Sequence, residues 1–438
     1  MIVAREVKVG DIWKACVTPN DGYEDGNNIC SNNLTVRSTN LRIQNIILNS
    51  TFGTDTTTEN LTVYYNSLND GNISNKNIIN WYLNGTSIIV LNLPFEGGSN
   101  SIWTKDYSSF GNNGNVSGAT WNPSGGYDGR GVYNFDGSDV INISSNSALD
   151  LTQHLTMTAW VKINTWNANG SGIVVKTSTD TNYGDYSIIA GPITNEIWFM
   201  LNNNTVAINY SNFQLNQWYF VSATYDRNYM KLYINGNKVQ ELAYTSAITN
   251  NYQGIRIGNY YYSRGYLNGN VDEVRIYNQS LSAEQILALY QNKTDLIVAE
   301  ETSLGDIWKA CVTPNDGYEE GNESCSDNLT ILDVPPNSCG ILNNNLILTN
   351  NVSSNYTCFT INASNIILDC AGYKINYSTA GTVGYAVNST GFSNITIKNC
   401  NIYNNSGDSG EPDGYGIMLT NSNENTISGN NVYRNKIR

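Results

Sequence analysis

Several acidic and amide side chains sit in glycine-rich turns, where oxygen ligands could close around a hard cation. Asp106, Asn112, Asn113, Asp136, Asp139 and Asp272 are the candidates. Tight turns bearing such donors suit Ca²⁺, which would tie the first strands of the central region to its last. Asp106, Asn113, Asp136 and Asp272 are the expected ligands of this structural ion. The alternative is metal-free capping, in which each carboxylate or amide closes an Asx turn onto its own backbone. Glu196, Glu273 and Glu284 are carboxyls of the kind that hydrolyse glycosides, a reaction needing two of them roughly 5–10 Å apart in one cleft. Asp408, Glu411 and Asp413 share one loop without a basic cluster and read as solvated. His154 is the chain's single histidine. It has no nucleophile motif and no second imidazole beside it, so it reads as a surface or loop-packing residue. Tyr260, Tyr261, Tyr262 and Tyr266 form a loop cluster on which a sugar ring could stack, as Trp103, Trp121 and Trp166 could. The alternative for these rings is packing over a sheet edge.

Composition narrows the partners. Thirty-seven acidic against 23 basic residues give a net charge of −14, opposed to nucleic acid or an anionic membrane surface. Charged residues make up only 14% of the chain and tyrosines number 30, the balance of a polar, strand-rich extracellular surface. About twenty N-x-S/T sequons point the same way. No apolar run is long enough to span a bilayer. The eight cysteines include no C-x-x-C pair, so disulfides in an oxidising compartment are favoured over zinc. Pairing in chain order gives Cys16 with Cys30, Cys311 with Cys325, Cys339 with Cys358 and Cys370 with Cys400. The first two pairs recur at the same spacing, which argues that each closes within its own unit.

That recurrence belongs to a long repeat. Gly10 to Tyr23 returns residue for residue as Gly305 to Tyr318, and the flanks follow, including Cys30-Ser31 as Cys325-Ser326. Long-period repeats outrank local signals in deciding architecture. Residues 1–36 then read as the C-terminal half of a repeat unit that begins upstream, within a longer exported protein. A hairpin alone is not a stable domain, and this piece lacks its first half. Strand patterns within 41–93 supply a first half whose complement appears only at 294–333. The expectation is a split β-sandwich that resembles immunoglobulin-like or PKD-like domains in strand count and in the placement of Trp81.

Residues 94–293 form the insert. Alternation in Leu155 to Ile163, then Ile188-Ile-Ala, Glu196 to Leu201, Trp218 to Tyr225, Lys231 to Ile234 and Val271 to Tyr277 predicts many short strands. Asn235-Gly236 supplies a hairpin turn. One helix is predicted at the end, with Ser282 as its cap, Gln285 at the third position, and Leu281 against Ile286. The ordered series Asp106-x-Ser-x-x-Gly-Asn-Asn-Gly, Tyr133-x-Phe-Asp-Gly-Ser, Thr158-Ala-Trp-Val-Lys, Gln217-Trp-Tyr-Phe-Val-Ser-Ala-Thr-Tyr-Asp, Leu232-Tyr-Ile-Asn-Gly and Val271-Asp-Glu-Val-Arg-Ile-Tyr resembles the LamG-like jelly rolls of the concanavalin A-like lectin/glucanase superfold. The resemblance implies the fold, and it favours calcium at Asp106 and Asp272 above all. Glucanase relatives carry a tight E-x-D-x-E strand, which this chain lacks. The fold itself hosts many functions.

Residues 334–438 change pattern again. Asn365-Ile-Ile-Leu, Asn394-Ile-Thr-Ile and Asn425-Thr-Ile recur about one rung apart and resemble a right-handed parallel β-helix, here incomplete. Neighbouring rungs stack ~4.8 Å apart, a spacing that suits a disulfide from Cys370 to Cys400. The expected whole is all-β: a jelly roll nested in a split Ig-like sandwich, then β-helix rungs. The expected role is a non-enzymatic extracellular or cell-surface protein. Its jelly roll, calcium-stabilised, would bind a glycan or a surface protein. The alternatives are a purely structural surface-layer or adhesin repeat, and a polysaccharide-active enzyme working through the β-helix.

Overall fold

A computed structural model of the chain describes residues 6–8, 11–36, 41–51, 53–68, 76–176, 184–191, 195–202, 206–261, 264–317, 319–332, 339–379, 383–404 and 415–433. The chain divides into two compact units, one of residues 1–48, 61–302 and 306–329, the other of 49–60, 303–305 and 330–438.

In the first unit, alternating apolar residues fold into two eight-stranded antiparallel sheets. One contains Gly114–Ser117, Val140–Ile143, Ile255–Ile257, Ser171–Lys176, Tyr186–Ala190 and Ile197–Leu201; the other is centred on Leu155–Thr165 between Asn268–Tyr277 and Trp218–Tyr225. Val161, Met157, Ile188, Phe199, Val221 and Ile276 belong to one continuous buried core between them. This is the expected jelly roll. Its central strands Leu155–Thr165, Ser171–Lys176, Tyr186–Ala190 and Trp218–Tyr225 are buried along nearly their whole length, so both of their faces are covered. The helix Ala283–Tyr290 is capped by Ser282, whose Oγ accepts from Gln285 N at 3.1 Å. Gln285 does not return the bond. Its side chain instead ties Leu296 O and Val298 N, and Glu301 accepts from Ser282 N at 2.6 Å. A carboxylate from beyond the helix thus replaces the local capping-box partner.

Segments from either side of the jelly roll share sheets. Lys76–Leu83 pairs antiparallel with Ile307–Asn315, in register from Trp308↔Leu83 to Asn315↔Lys76. Leu296–Ile297 pairs with Leu61–Leu68. Trp81 and Trp308 meet edge to face at 6.2 Å, and Trp81 Nε1 donates to Thr294 O at 2.9 Å. One expected boundary moves. Ile89–Leu93 falls within the 41–93 half expected for the split sandwich, yet it pairs with Asn268–Tyr277 and places Val90, Leu91 and Leu93 in the jelly-roll core. Its five residues are all buried, so both of its faces are covered, which a half-exposed outer strand would not allow.

In the second unit, three four-stranded parallel sheets grow one strand per turn of chain: Gly340–Leu342 with Phe359–Ile361, Val387–Thr390 and Ile417–Thr420 make the first. Inward residues Phe359, Leu368, Ile375, Val387, Ile397 and Ile402 fill the coil. The asparagines have a physical role here. Asn365, Asn394, Asn399 and Asn421 turn corners at positive φ, which asparagine tolerates. Their amides also bond from turn to turn, as Asn394 Nδ2 does to Asn365 Oδ1 at 2.8 Å.

All four expected disulfides form. Cys370–Cys400 spans 30 residues and joins neighbouring turns with Cα atoms 4.7 Å apart, the rung spacing itself. Replacing both cysteines with serine is expected to cost about 3.5 kcal/mol in the chain-entropy model. Hydrogen exchange would show the loss as faster exchange in Ile367–Asp369 and Thr396–Lys398, with the jelly-roll strands unchanged.

Candidate functional site

The strand Asn268–Tyr277 carries the site because it is irregular. Its register against Leu155–Thr165 slips between Thr158↔Arg275 and Trp160↔Asp272, so Glu273 and Val274 together face Ala159. A bulge of this kind bends the strand and re-aims a side chain. Glu273 takes φ 53°, a left-handed conformation uncommon for a residue with a Cβ. Glu273 is thereby aimed at Lys76, the first residue of Lys76–Leu83.

Lys76 is the hub. Its Nζ lies 2.9 Å from Glu96 Oε1 and 2.7 Å from Asp128 Oδ2, and it also pairs with Glu273. Arg275 pairs with the other oxygen of Glu273. Asp272 is fully buried; its Oδ2 accepts from Tyr127 N at 3.2 Å while Oδ1 has no hydrogen-bond partner. Four carboxyls therefore face two cations. Burial alone would lower the Lys76 pKa, but Glu273, Glu96, Asp272 and Asp128 together raise it well above its ordinary value. Burial pushes Glu96 up to about 7 against the pull of Lys76, and burial likewise holds Asp272 well above the carboxylate range. Burial also opposes ionisation of Glu273, yet Arg275 and Lys76 outweigh it and keep that carboxylate charged. Tyr127, whose ring centroid is 5.9 Å from the ammonium, stacks on Trp160 at 4.0 Å, and Tyr290 also stacks on that indole at 5.7 Å.

Beside this cluster opens a polar cleft of about 270 Å³. Asp128, Arg130, Arg275, Asn292, Thr294 and Asp295 present donors and acceptors into it, and Tyr65 forms a wall. The volume lies just under the usual range for small-molecule sites, roughly 300–1,000 Å³, and suits a ligand about the size of one sugar.

The expected calcium ligands are not gathered. Both oxygens of Asp106 are engaged: Oδ1 accepts from Asn92 N and Ser108 N, Oδ2 from Asn112 N and Ser108 Oγ, all at 2.6–2.9 Å. Asn113 Oδ1 accepts from Asp106 N, and Asn112 Nδ2 donates to Val90 O. Asp136 is exposed and closes a turn on Ser138, and Asp139 accepts from Asp136 N. Asp106 is bonded to Asn92, the partner of Arg275, whereas Asp136 faces Asn268. Seven residues of strand separate those levels, roughly 20 Å. Asp272, on the intervening stretch, turns to Tyr127. These residues are turn and loop caps, and they do not fit one coordination sphere. Among the described residues, Glu96, Asp128 and Glu273 are near enough to share an ion, and so are Cys311, Glu323 and Cys325. The Lys76 ammonium sits within the first group, and the cysteines of the second are in a disulfide.

The aromatic expectations divide. Tyr260 is a packing residue, 8% exposed and clustered with Val175, Ile189 and Met200, its hydroxyl bonded to Asn169 O. Gly172 permits this, because a Cβ there would lie 2.4 Å from the Asn259 carbonyl carbon. Tyr266 is half-buried. The side chain of Tyr261, the whole of Tyr262, and Asp408, Glu411 and Asp413 lie outside the described residues. Trp121 and Trp166 pack on the core, while Trp103 is exposed. Glu196 bonds Trp198 Nε1 and Glu284 lies in the first turn of the helix, so neither joins Glu273. His154 is exposed. Lys76 and Glu96 carried no sequence signal, being single residues in a strand and a loop, while Arg275 lies in the Val271-Asp-Glu-Val-Arg-Ile-Tyr motif without marking a site by itself.

Residues 135–287 match the family model described as the concanavalin A-like lectin/glucanases superfamily. Over these residues the jelly roll is similar to the concanavalin A-like lectins and glucanases. No curated protein matches the chain. Among solved structures, domain 4 of AbnA, a GH43 extracellular arabinanase from Geobacillus stearothermophilus in complex with arabinotriose, is 17% identical with a TM-score of 0.38, covering 46% of this chain and 98% of that one. The binding domain of botulinum neurotoxin DC in complex with SialylT is 21% identical with a TM-score of 0.36, over 47% of this chain and 51% of that one. The binding domain of Paraclostridial mosquitocidal protein 1 is 17% identical with a TM-score of 0.38, over 47% and 52%. The chain thus spans about half the length of the toxin binding domains it matches.

Proposed function

We propose that the jelly roll is a non-catalytic carbohydrate-binding module of an extracellular or cell-surface protein. The observation that carries this is the cleft where the jelly roll, through Asp128, Arg130, Glu273 and Arg275, meets the flanking segments that carry Tyr65, Lys76 and Asp295; there carboxylate, guanidinium and amide groups converge at the size of one sugar. A hydroxyl-rich ligand meets such groups with hydrogen bonds, and a site built to bond hydroxyls rejects analogues lacking them. The match of residues 135–287 to the superfamily model supports the reading, and the four disulfides support an oxidising location. Binding is favoured over hydrolysis because the best-placed carboxyls are engaged. Lys76 holds Glu96, and Lys76 with Arg275 hold Glu273. The structural alternative, a repeat with no discrete ligand, is favoured by the duplicated hairpin alone.

A glycan array read with the full chain tests the proposal. Arg130→Ala and Asp295→Asn are each expected to weaken a bound glycan at least ten-fold, whereas Tyr260→Phe changes it less than two-fold. Absence of any bound glycan, or binding indifferent to both cleft variants, returns the domain to a structural role.

A further inference from the structure

The two copies of the hairpin have the same internal geometry and opposite surroundings. Gly22 N donates to Asn20 Oδ1 at 2.7 Å, and Gly317 N to Asn315 Oδ1 at 2.7 Å. Ala15 N donates to Ser31 Oγ at 3.1 Å, and Ala310 N to Ser326 Oγ at 3.2 Å. Gly26 N reaches Pro19 O at 2.7 Å, and Gly321 N reaches Pro314 O at 2.8 Å. Each copy closes its disulfide across an antiparallel pair, Cys16↔Cys30 and Cys311↔Cys325. Yet Val312 is fully buried and Val17 is 66% exposed; Leu329 is 7% exposed and Leu34 68%. Ile12 is 66% exposed where its counterpart Ile307 is 39%. The shared residues, with the same turn bonds and the same cystine, thus differ in their cover, and what differs is a partner. The second copy receives Lys76–Leu83 along its edge and the Trp81 ring against Trp308.

We propose that the Ile12–Val17 edge of the first hairpin is a docking surface for a half-sandwich of the 41–88 kind, a strand-bearing segment with a tryptophan at the Trp81 position. Pairing fixes the register. The copies are offset by 295 residues, so Trp13, Ala15 and Val17 face the equivalents of Leu83, Trp81 and Ile79, as Trp308, Ala310 and Val312 do. A second copy of residues 1–438 does not meet the need. Each copy carries two such hairpins and one such half, so exchange between copies leaves as many edges open as before. The occupant is therefore a further half-sandwich, adding its strand by main-chain bonds and its tryptophan by burial. An open edge with exposed apolar residues is otherwise a site of indiscriminate pairing.

Fusing a second copy of residues 41–88 through a flexible linker to residue 1 of the full chain tests this, since tethering supplies a roughly millimolar local concentration. Hydrogen exchange at the backbone amides of residues 12–17 is expected to slow at least ten-fold, approaching that of residues 307–312. Trp13→Glu in the fused chain should abolish that slowing and leave residues 307–312 protected. Exchange at 12–17 unchanged by the fusion, with 307–312 still protected, overturns the proposal. So does slowing that survives Trp13→Glu, which would mean the added half rests elsewhere.

Discussion

Replacing Lys76 with methionine is expected to cost about 3–5 kcal/mol of stability at neutral pH, the usual penalty for removing one partner of a buried ion pair. Methionine keeps the unbranched apolar stem of the lysine and removes the ammonium, including its contact over the Tyr127 ring, so the loss reports charge. What remains is Glu96, Asp128, Asp272 and Glu273 around Arg275 alone. The direction with pH is set by Glu96. Its folded pKa, about 7, stands above its ordinary 4.5, so the fold binds that proton more tightly than the unfolded chain does. Its stabilising share is complete below about 4.5, falls as pH rises toward 7, and changes no further above that. A span of this width is worth up to about 3 kcal/mol. Urea titrations at pH 5 and pH 7.5 should show the native chain more stable at pH 5 in this respect, with Glu96→Gln flattening the difference. The Lys76→Met penalty should shrink at pH 5, where Glu96 takes up a proton. A penalty equal at both values would remove the charge cluster as its cause.

Trp308→Ala is expected to cost about 3–5 kcal/mol, the range for emptying a buried aromatic site, while Trp13→Ala, the same change in the same fourteen residues, stays within about 0.5 kcal/mol. Trp308 is fully buried against Trp81, and Trp13 is only half-buried in an exposed hairpin. Neither indole nitrogen has a hydrogen-bond partner in its buried position, so the difference measures packing. Trp308→Phe should recover most of the loss for the same reason. Chemical denaturation followed by far-ultraviolet circular dichroism separates the two variants. Equal effects would mean that the two copies share one environment, which would also remove the premise of an open docking edge.

Much of the architecture was readable without coordinates because its causes are local. Alternation along Leu155–Thr165 and its neighbours marks sandwich strands wherever they end up. The spacing of Cys370 and Cys400 equals one coil turn, so that disulfide follows from the rung repeat. Ser282 caps its helix with the next residues of its own chain. The duplicated hairpin carries its own turn bonds and disulfide, and both copies form them alike. Asp106 and Asp136 were ambiguous for the same reason. A carboxylate in a turn satisfies its own backbone or an ion with the same sequence, and the backbone donors were nearer.

The site had no such local cause. Lys76, Glu96, Asp128 and Glu273 come from four segments, the first and last 197 positions apart (273 − 76), and each alone is an unremarkable charge. Only the pairing of Lys76–Leu83 with Ile307–Asn315, and the bulge at Glu273, bring them within ion-pair distance. Tyr260 was open to two readings, sugar stacking or packing over a sheet edge, and it packs because Gly172, distant in sequence, lets its strand close over the sheet. By itself, then, the sequence determined the strands, the cystines, the helix cap and the repeat, all set by near neighbours and periodicity. Only the tertiary structure decided which charges meet, which strand joins which sheet, and which of two identical hairpins is covered. Coulomb interaction and burial depend on distance in space, which residue spacing does not encode.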